Sequence, residues 1–246
     1  MIEIDLTGHV VAVTGAAQGI GAGIVERFAA AGASLVMQYR STAPSEPDTP
    51  SCTVHADLRD DDAPDRIVAA AIDRFGRLDA LVNNAAVQTL ANFVGMTDAE
   101  WDEMLATNLT ASHRLTQRFA RHAIASGHGG SVVHVASIEG TQPAVGHGHY
   151  GVSKAGLLMH TKVAALELGG HGIRVNAVSP GLVDRPGLAD DWPDGVSRWL
   201  AKAPLGRLGS ATDVGDACVF LCSPMARWIS GTNLVVDGGV SARSTW

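Results

Sequence analysis

Three side chains near the middle of the chain have the chemistry of a proton-transfer site. Tyr150 and Lys154 are four residues apart, so a helix over this stretch would place them on one face. A phenol titrates near ~10, but an ammonium beside it favours phenolate and lowers its pKa. Ser137, at the end of an apolar run, could hydrogen-bond the oxygen that gains or loses the proton. The spacing therefore predicts Tyr150 as a general acid and base, although a surface Tyr and Lys on an amphipathic helix would look the same.

The composition limits the compartments and partners available to such a site. The 246 residues are 46% hydrophobic and carry a net charge of −7 without a run of Lys or Arg, so nucleic acid is a poor partner. The start of the chain lacks a signal-peptide pattern, and no apolar run approaches the ~18 residues of a membrane span. Cys52, Cys218 and Cys222 complete neither a zinc set nor a disulfide framework. We expect a soluble cytoplasmic protein with no membrane partner.

The elements that must position these side chains alternate along the chain. Short apolar runs predict strands at Val10–Val13, Leu35–Tyr39, Thr53–Ala56, Ala80–Val82, Ser131–Val135, Arg174–Val178 and Leu234–Val236. Longer periodic stretches predict helices at Ile20–Ala31, Ala63–Phe75, Asp98–Ser126, Tyr150–Leu168 and Thr212–Cys222. This order indicates an α/β, doubly wound Rossmann-type fold with a seven-stranded, mostly parallel sheet and helices on both faces. Ser41–Pro50, with three prolines, and Pro180–Gly195 are expected to be irregular.

A glycine-rich turn follows the first predicted strand and opens the first predicted helix. Gly15, Gly19 and Gly21, with Gln18 and Ile20 between them, have the spacing G-x-x-x-G-x-G. Such a turn lets the backbone approach a pyrophosphate, whose charge suits a helix N-terminus. A turn without a ligand would need the same glycines, but the position between strand and helix favours dinucleotide binding. No linker or repeat divides the chain, so we expect a single dinucleotide-binding catalytic domain over residues 1–246.

Together these features resemble the short-chain dehydrogenase/reductase family, in its compact subclass of about this length. The resemblance covers essentially the whole chain. In the family, a residue matching Asp57 contacts the adenine, and a residue matching Asn108 positions a water for proton relay; Leu58, next to Asp57, also matches the cofactor-binding pattern. Ala86 stands where the family usually has Gly. Further matches to the cofactor-binding pattern are Asn84, Ala85, Pro180, Gly181 and Val183, and Val236–Gly239 matches a terminal motif.

The resemblance implies an NAD(P)(H)-dependent oxidoreductase that interconverts a secondary alcohol and a ketone or aldehyde. Ser137 would steady the substrate oxygen, Tyr150 would transfer its proton, and Lys154 would lower the pKa of Tyr150 and bind the nicotinamide ribose. No metal is required. The family also suggests a homotetramer built through the long helices and the C-terminal strand, where Trp246 would either pack or fray.

The end of the second strand bears on the choice of cofactor. Tyr39, Arg40 and Ser41 stand where an acidic residue would bind the ribose hydroxyls and repel a 2′-phosphate. Arg40 could pair with that phosphate, or it could stack on the adenine or face solvent. We expect NADP(H) to be preferred, with NAD(H) possible.

The substrate is read from the residues around the catalytic set. Glu139, Gln142, His147 and Trp192 are expected to line the pocket, and their polarity favours a sugar- or polyol-like substrate. A 3-oxoacyl thioester of fatty-acid or polyketide metabolism remains an alternative, as does a catalytically silent NADP(H) sensor. Arg185 replaces the Thr that the family commonly uses to hold the nicotinamide carboxamide; it either faces solvent or binds an anionic substrate group.

Four histidines cluster in sequence around this site. His147 and His149, with His128 and His134 nearby, invite a metal interpretation. No carboxylate is obviously placed to complete such a site, and the inferred chemistry needs no metal. We expect none.

Overall fold

The computed structural model, which describes residues 4–242, contains seven strands and eight α-helices within that range. The strands are β1 Val10–Val13, β2 Ser34–Tyr39, β3 Ser51–His55, β4 Ala80–Asn83, β5 Gly130–Val135, β6 Ile173–Pro180 and β7 Asn233–Val236. The helices are α1 Gly19–Ala30, α2 Ala63–Phe75, α3 Asp98–Leu105, α4 Ala111–Ser126, α5 Gly148–Leu168, α6 Leu188–Asp191, α7 Pro193–Leu200 and α8 Ala211–Cys222. Trp246 lies outside the described residues.

All seven strands pair in parallel in one sheet, in the order β3-β2-β1-β4-β5-β6-β7. The order reverses direction at β1, which pairs with β2 on one side and with β4 on the other. Each crossover therefore has to carry the chain back over a face of the sheet, and most of them do so as helices. The expected doubly wound fold is confirmed.

Alternate residues of the strands build two separate cores. Val11 and Val13 of β1 pack on one face with Phe28 of α1 and with α8. Val10 and Ala12 face the other way and pack with Phe119 of α4 and with α2. Both phenylalanines are fully buried, and each contributes roughly 1.5–3 kcal/mol through removal of apolar area from water. Because both faces are covered, the central strands β1 and β4 are buried along their whole length rather than at alternate residues.

The structure differs from the sequence-based expectation in two elements. The long helix expected over Asp98–Ser126 is divided by a π-helical turn at Ala106–Thr110, which widens the helix by one residue around Asn108. The stretch expected to be irregular over Pro180–Gly195 contains α6 and the start of α7. Gly187 adopts a left-handed φ of 78° before α6, and Pro193 opens α7 at a position where its missing N–H is not needed.

The proline-containing segment between β2 and β3 forms no helix over residues 41–50, as expected. A cavity of about 420 Å³ lies between this segment and α1, in the space that a second helix would cover. Pro44, Glu46 and Asp48 are among its lining residues. It adjoins the glycine turn but lies outside the edge of the sheet where the strand ends converge. Among the described residues, no helix is long and apolar enough to cross a bilayer.

Candidate active site

The glycine turn after β1 is built so tightly that side chains are excluded. Gly15 and Gly19 have left-handed φ values of 63° and 53°, which L-residues rarely adopt. A Cβ on Gly21 would overlap the carbonyl oxygen of Gly15, and a Cβ on Gly15 would lie 2.9 Å from the Cα of Ala85. Ile20 follows Gly19 in the first turn of α1. The turn therefore leaves its backbone and the N-terminus of α1 exposed toward the crevice.

Neighbouring strand ends hold the turn in place. The Asn84 amide donates to the carbonyls of Thr14 at 2.9 Å and Gly15 at 3.2 Å, and the Thr14 hydroxyl accepts from the N–H groups of Asn84 and Ala85. From the other side, Gln38 Oε1 accepts from the Gly15 N–H at 2.9 Å, while its Nε2 donates to the Ala56 carbonyl at 2.7 Å. Gln38 is only 2% exposed. Its side chain thus joins the glycine turn to the ends of β2 and β3.

A cleft of about 180 Å³ opens beside this turn, at the carboxyl ends of β1 to β4. Most of the residues that the sequence assigns to the adenosine side meet there. Gly19, Ile20 and Gly21 belong to the adjoining turn, and Asn84 follows β4 and holds that turn. The cleft is lined by Gly15, Ala17, Gln18, Gln38, Tyr39, Arg40, Ser41, Thr42, Asp57, Leu58, Ala85, Ala86, Val87 and Thr107.

Charges at the rim of the cleft are partly paired. Arg59 donates to Asp57 at 2.6 Å and, as the main cause, lowers the pKa of that carboxyl to about 2. The Arg40 side chain is exposed at the rim, and its backbone carbonyl is bonded to His55 at 2.8 Å. His55 also packs against the Tyr39 ring with centroids 5.2 Å apart. The backbone at the end of β2 is therefore fixed while the Arg40 guanidinium remains on the surface.

The three proton-transfer residues converge where β5 meets α5. Ser137 follows β5 in extended conformation and is hydrogen-bonded to Tyr150, in the first turn of α5. Lys154 lies one turn further, where its Nζ donates to the Val135 carbonyl at 2.8 Å and stands 5.6 Å from the centroid of the Tyr150 ring. The helix therefore places phenol and ammonium on one face, as the spacing predicts.

Burial changes the proton affinities of this group from the sequence-based expectation. Desolvation raises the pKa of Tyr150 to about 12; the Ser137 hydrogen bond opposes this rise, and the charge of Glu139 adds to it. Desolvation lowers the pKa of Lys154 to about 8. The expectation that Lys154 brings the phenol toward neutrality is therefore not met, because burial disfavours the charged form of both groups.

Asn108 ties the π-helical turn to the segment after β4. Its Oδ1 accepts from the Val87 N–H at 2.8 Å, and its Nδ2 donates to the Val87 carbonyl at 2.9 Å and to the Ser153 hydroxyl at 3.2 Å. Its own carbonyl accepts from Ser112. The Asn108 side chain thus joins the π-helical turn to Val87 after β4 and to Ser153 of α5.

Two of the expected substrate residues form a pair beside Tyr150. His147 Nδ1 lies 2.7 Å from Glu139 Oε2, and the His147 ring meets the Tyr150 ring in a T-shaped arrangement with centroids 5.9 Å apart. Gln142 follows the same loop, and its N–H donates to the Ile138 carbonyl at 2.9 Å. All of these residues belong to the connection between β5 and α5.

The segment after β6, called the cover below, is bonded to the C-terminal part of the chain and contains an ion pair of its own. Pro180 ends β6, the Gly181 N–H donates to the Val236 carbonyl, and Val183 bridges to Gly209. The Arg185 guanidinium lies 2.8 Å from the Asp191 carboxylate, on the exposed side of the cover. This arrangement favours the solvent-facing interpretation of Arg185.

Two tryptophans give the cover its shape. Trp192 lies against Gly195, where any Cβ would overlap the indole, and the Arg198 guanidinium is 6.0 Å from the Trp192 ring. A Cβ on Gly181 would lie 2.6 Å from Trp199 Cζ2. The Trp199 indole therefore packs α7 against the end of β6.

Comparisons with known proteins agree with this geometry. A family model described as enoyl-(acyl carrier protein) reductase matches residues 15–241. L-Rhamnose 1-dehydrogenase (NAD(P)(+)) of Azotobacter vinelandii is 35% identical to this chain, with 98% of each chain covered. The chain belongs to the short-chain dehydrogenase/reductase family. It is accordingly an enzyme, an oxidoreductase of that family, and the resemblance seen in the sequence is confirmed.

Other members of the family extend the range of relatives. The 3-oxoacyl-(acyl-carrier-protein) reductase of Escherichia coli K12 is 32% identical and covers 96% of this chain and 99% of its own. The solved structure of a short-chain type dehydrogenase/reductase from Mycobacterium marinum superposes with a TM-score of 0.91 at 28% identity, covering 98% of both chains. The fold is thus shared over essentially the whole length.

The residues present fit the dinucleotide that the family implies. Gly15 and Gly19 are left-handed, and a Cβ on Gly19 would have no neighbour within 4 Å, so the backbone at the N-terminus of α1 is accessible to a pyrophosphate. The cleft beside Tyr39 and Asp57 continues from the glycine turn. Within residues 4–242, no group of three or more His, Cys, Asp or Glu side chains could hold a metal ion.

Sequence reasoning missed the two polar side chains that brace the glycine turn. Gln38 interrupts the apolar run of β2, and Thr14 follows that of β1. A polar residue inside an otherwise apolar buried strand needs hydrogen-bond partners, and that requirement was the available signal.

Proposed function

We propose that this short-chain dehydrogenase/reductase interconverts a secondary alcohol and a ketone or aldehyde with NAD(P)(H), through one dinucleotide-binding catalytic domain over residues 1–246. The observation that carries the proposal is the convergence of Ser137, Tyr150 and Lys154 after β5, at the same edge of the parallel sheet as the glycine turn after β1. A silent cofactor sensor would need the turn but not the buried Tyr–Lys pair, and retaining a buried lysine without a use is costly.

Each residue of the set has a role that follows from its surroundings. A nicotinamide cofactor held at the glycine turn would supply the hydride donor or acceptor of the reaction. Ser137 hydrogen-bonds the substrate oxygen, and Tyr150 gives that oxygen a proton in reduction or takes one in oxidation. Lys154 would bind the cofactor ribose and would favour phenolate when the proton leaves, and Asn108 would position a water that extends the relay to solvent. With a pKa of about 12, Tyr150 is protonated at neutral pH and ready for reduction.

The test is a screen of NADPH oxidation and NADP reduction with sugars, polyols, cyclic ketones and 3-oxoacyl thioesters. Tyr150→Phe keeps the ring and removes the hydroxyl, so we expect turnover to fall roughly 10²–10⁴-fold while cofactor binding is retained. Cofactor binding by both proteins is measured by fluorescence titration. Turnover by the variant at the wild-type rate would refute the assignment; tight NADPH binding without turnover on any substrate would favour the sensor.

We further propose that NADP(H) is preferred, with NAD(H) also accepted. Arg40 lies on the rim of the adenosine cleft, and no acidic side chain occupies the end of β2 beside it. A charged hydrogen bond contributes about 1.5–3 kcal/mol, so Arg40→Ala should lower kcat/KM for NADP at least ~10-fold and change that for NAD little. Arg227→Ala, an exposed arginine of the turn after α8, is the control. A wild-type enzyme that favours NAD(H) tenfold would contradict this preference.

We propose a cytoplasmic homotetramer. The three cysteines are free thiols, which suits a reducing compartment. On α5, Val152, Met159, Val163 and Leu166 form an exposed apolar stripe that a second copy of the helix would cover. Sedimentation that detects monomer alone at micromolar concentration would refute the assembly.

The substrate proposed is polar, of the sugar or polyol kind, because Glu139 and His147 stand beside Tyr150. The relationship to L-rhamnose 1-dehydrogenase supports this choice. The relationship to a 3-oxoacyl-(acyl-carrier-protein) reductase supports the alternative, reduction of a 3-oxoacyl thioester. The substrate screen separates the two.

A further inference from the structure

The Glu139–His147 pair lies where it can contact the part of a substrate next to its reacting carbon. We propose that this pair binds a second hydroxyl on the adjacent carbon, so that the preferred substrates are vicinal diols and the corresponding α-hydroxy carbonyl compounds. The inference rests on the proposed function, since it concerns the same site. It assigns a specificity-determining role to two side chains that take no part in hydride or proton transfer.

The position of the pair follows from its attachment to the catalytic residues. Glu139 is two residues beyond Ser137, and its N–H donates to the Ser137 hydroxyl at 3.1 Å. His147 immediately precedes α5, and its ring meets the Tyr150 ring at 5.9 Å. Glu139 and His147 therefore flank the oxygen-binding pair Ser137 and Tyr150 from the same loop.

The surroundings keep the pair fixed but accessible. The bridge between Ala91 and His147, with the Ala91 N–H donating to the Gly146 carbonyl at 2.9 Å, joins the loop to the segment after β4. The side chains of His147 and Glu139 are 17% and 20% exposed, so both are partly desolvated and still reachable. A hydrogen bond formed there is less weakened by competing water than one on the open surface.

The hydrogen-bonding capacity of the pair selects the kind of group it can bind. An ionised carboxylate only accepts, so His147 Nδ1, 2.7 Å from Glu139 Oε2, must carry the proton. In the neutral imidazole Nε2 is then an acceptor, as is the second oxygen of Glu139. Both remaining positions require a donor from the substrate, which a hydroxyl supplies.

The two free acceptor positions of the pair also distinguish hydroxylated substrates from those that have only carbonyl groups. A diol or sugar presents an O–H on the neighbouring carbon, at about one hydrogen-bond length from the reacting oxygen. A thioester carbonyl or a simple alkyl ketone offers no donor there, so binding it would leave partly buried acceptors without partners. The pair thus favours a hydroxylated substrate and disfavours one that has only carbonyl groups.

The experiment compares two substrates that differ by one hydroxyl. We measure kcat/KM with NADP for cis-cyclohexane-1,2-diol and for cyclohexanol, in the wild type and in Glu139→Gln and His147→Gln. The wild type should favour the diol at least ~10-fold, as expected for a hydrogen bond to a charged group. In both variants the diol-to-alcohol ratio should fall to near one. Because a change in Tyr150 acidity affects both substrates alike, the ratio is insensitive to it.

The controls distinguish failure of this inference from failure of the proposed function. Glu167→Gln, at an exposed position near the end of α5, should leave the ratio unchanged. If the wild type oxidises both compounds but shows no preference, or if the variants keep the wild-type ratio, the pair only joins the loop to α5 and the inference is wrong. If the wild type and Tyr150→Phe are equally inactive on every compound of the substrate screen, the proposed function itself fails.

Discussion

When His134 is replaced with phenylalanine, the free energy of unfolding should fall less between neutral and mildly acidic pH than it does in the wild type. His134 lies in β5, is 0% exposed, and has a pKa well below 6.5 because burial disfavours its charged form. The charged or titratable groups that act on it are Lys154 and His160, both on α5, and both disfavour a further positive charge. The imidazole is therefore neutral in the folded protein under conditions where an unfolded histidine takes up a proton.

The hydrogen bonds around His134 explain why a proton has no place there. Its Nδ1 is 3.1 Å from the Asn83 amide nitrogen, a donor, so Nδ1 accepts and Nε2 carries the proton. Nε2 then donates to His160 Nδ1 at 3.2 Å, and His160 in turn donates to His113 Nδ1 at 3.1 Å. The hydrogen bonds through the three rings run in one direction, and protonating His134 at Nδ1 would turn that N–H donor against the Asn83 amide donor.

The expected magnitude follows from linkage. A histidine whose folded pKa is depressed contributes its full stability above its unfolded pKa, near 6.5, and that contribution is lost as the pH falls toward the folded value. Below pH ~6.5 the unfolded chain binds one more proton, which lowers the free energy of unfolding by ~1.4 kcal/mol per pH unit. If the buried His134 ring takes up no proton over this range, the loss amounts to about 2 kcal/mol between pH 7.5 and pH 5. The pKa of His160 is also lowered, by burial, and adds an effect of the same sign.

The assay is urea denaturation at several pH values and one fixed protein concentration, with the wild type and His134→Phe compared. At pH 7.5 the variant should be less stable by ~1–3 kcal/mol, because Asn83 and His160 each lose a partner. At pH 5 the difference should be smaller by about 2 kcal/mol, since contributions from carboxylates cancel between the two proteins. His171→Asn, at an exposed histidine, should leave the slope unchanged. If the free energy of unfolding changed with pH by the same amount in the wild type and in His134→Phe, the reasoning would be refuted.

Three further predictions concern the glycine turn and the proton-transfer pair. Gly21→Ala should abolish NADPH binding in a fluorescence titration, because the added Cβ would overlap the Gly15 carbonyl oxygen. The control Gly170→Ala has open space around the added Cβ and should bind NADPH normally. Wild-type affinity in Gly21→Ala would contradict the geometry. Gln38→Leu removes two hydrogen bonds of ~0.5–1.5 kcal/mol each and should raise the NADPH dissociation constant roughly 10-fold, and an unchanged constant would show that the turn holds itself. The rate of alcohol oxidation should rise with pH in a one-proton step near 8, the pKa of Lys154. A step near 12, the pKa of Tyr150, would instead show that the two groups act independently.

The sequence is most informative where a motif is local. The glycine motif and the Tyr–Lys motif each consist of residues close together in the sequence, so both can be recognised without knowledge of the fold. The helices α6 and α7 could not, because four and eight residues are too few to show a helical period. The π-helical turn around Asn108 likewise leaves no periodic trace.

The sequence predicts a lowered pKa for Tyr150, whereas in the structure this pKa is raised. Sequence spacing shows that an ammonium is near, but the pKa also depends on how much water is removed by all the elements that pack around the phenol. Here desolvation is the largest effect on both Tyr150 and Lys154. Ion pairing is a property of neighbours along one helix, whereas burial is a property of the whole tertiary structure.

The opposed shifts of the two groups still permit proton exchange, because the groups can share one proton. When the pair has lost a single proton, it exists either as neutral phenol with neutral amine or as phenolate with ammonium, and these two forms have the same total charge. The step near 8 therefore belongs to the pair, and the form competent for alcohol oxidation is the phenolate–ammonium tautomer. A substrate hydroxyl that donates to Tyr150 stabilises this tautomer, and one that donates to Glu139 reduces the repulsion between carboxylate and phenolate. A vicinal diol can do both at once, so the features proposed for specificity and for acid–base catalysis support each other.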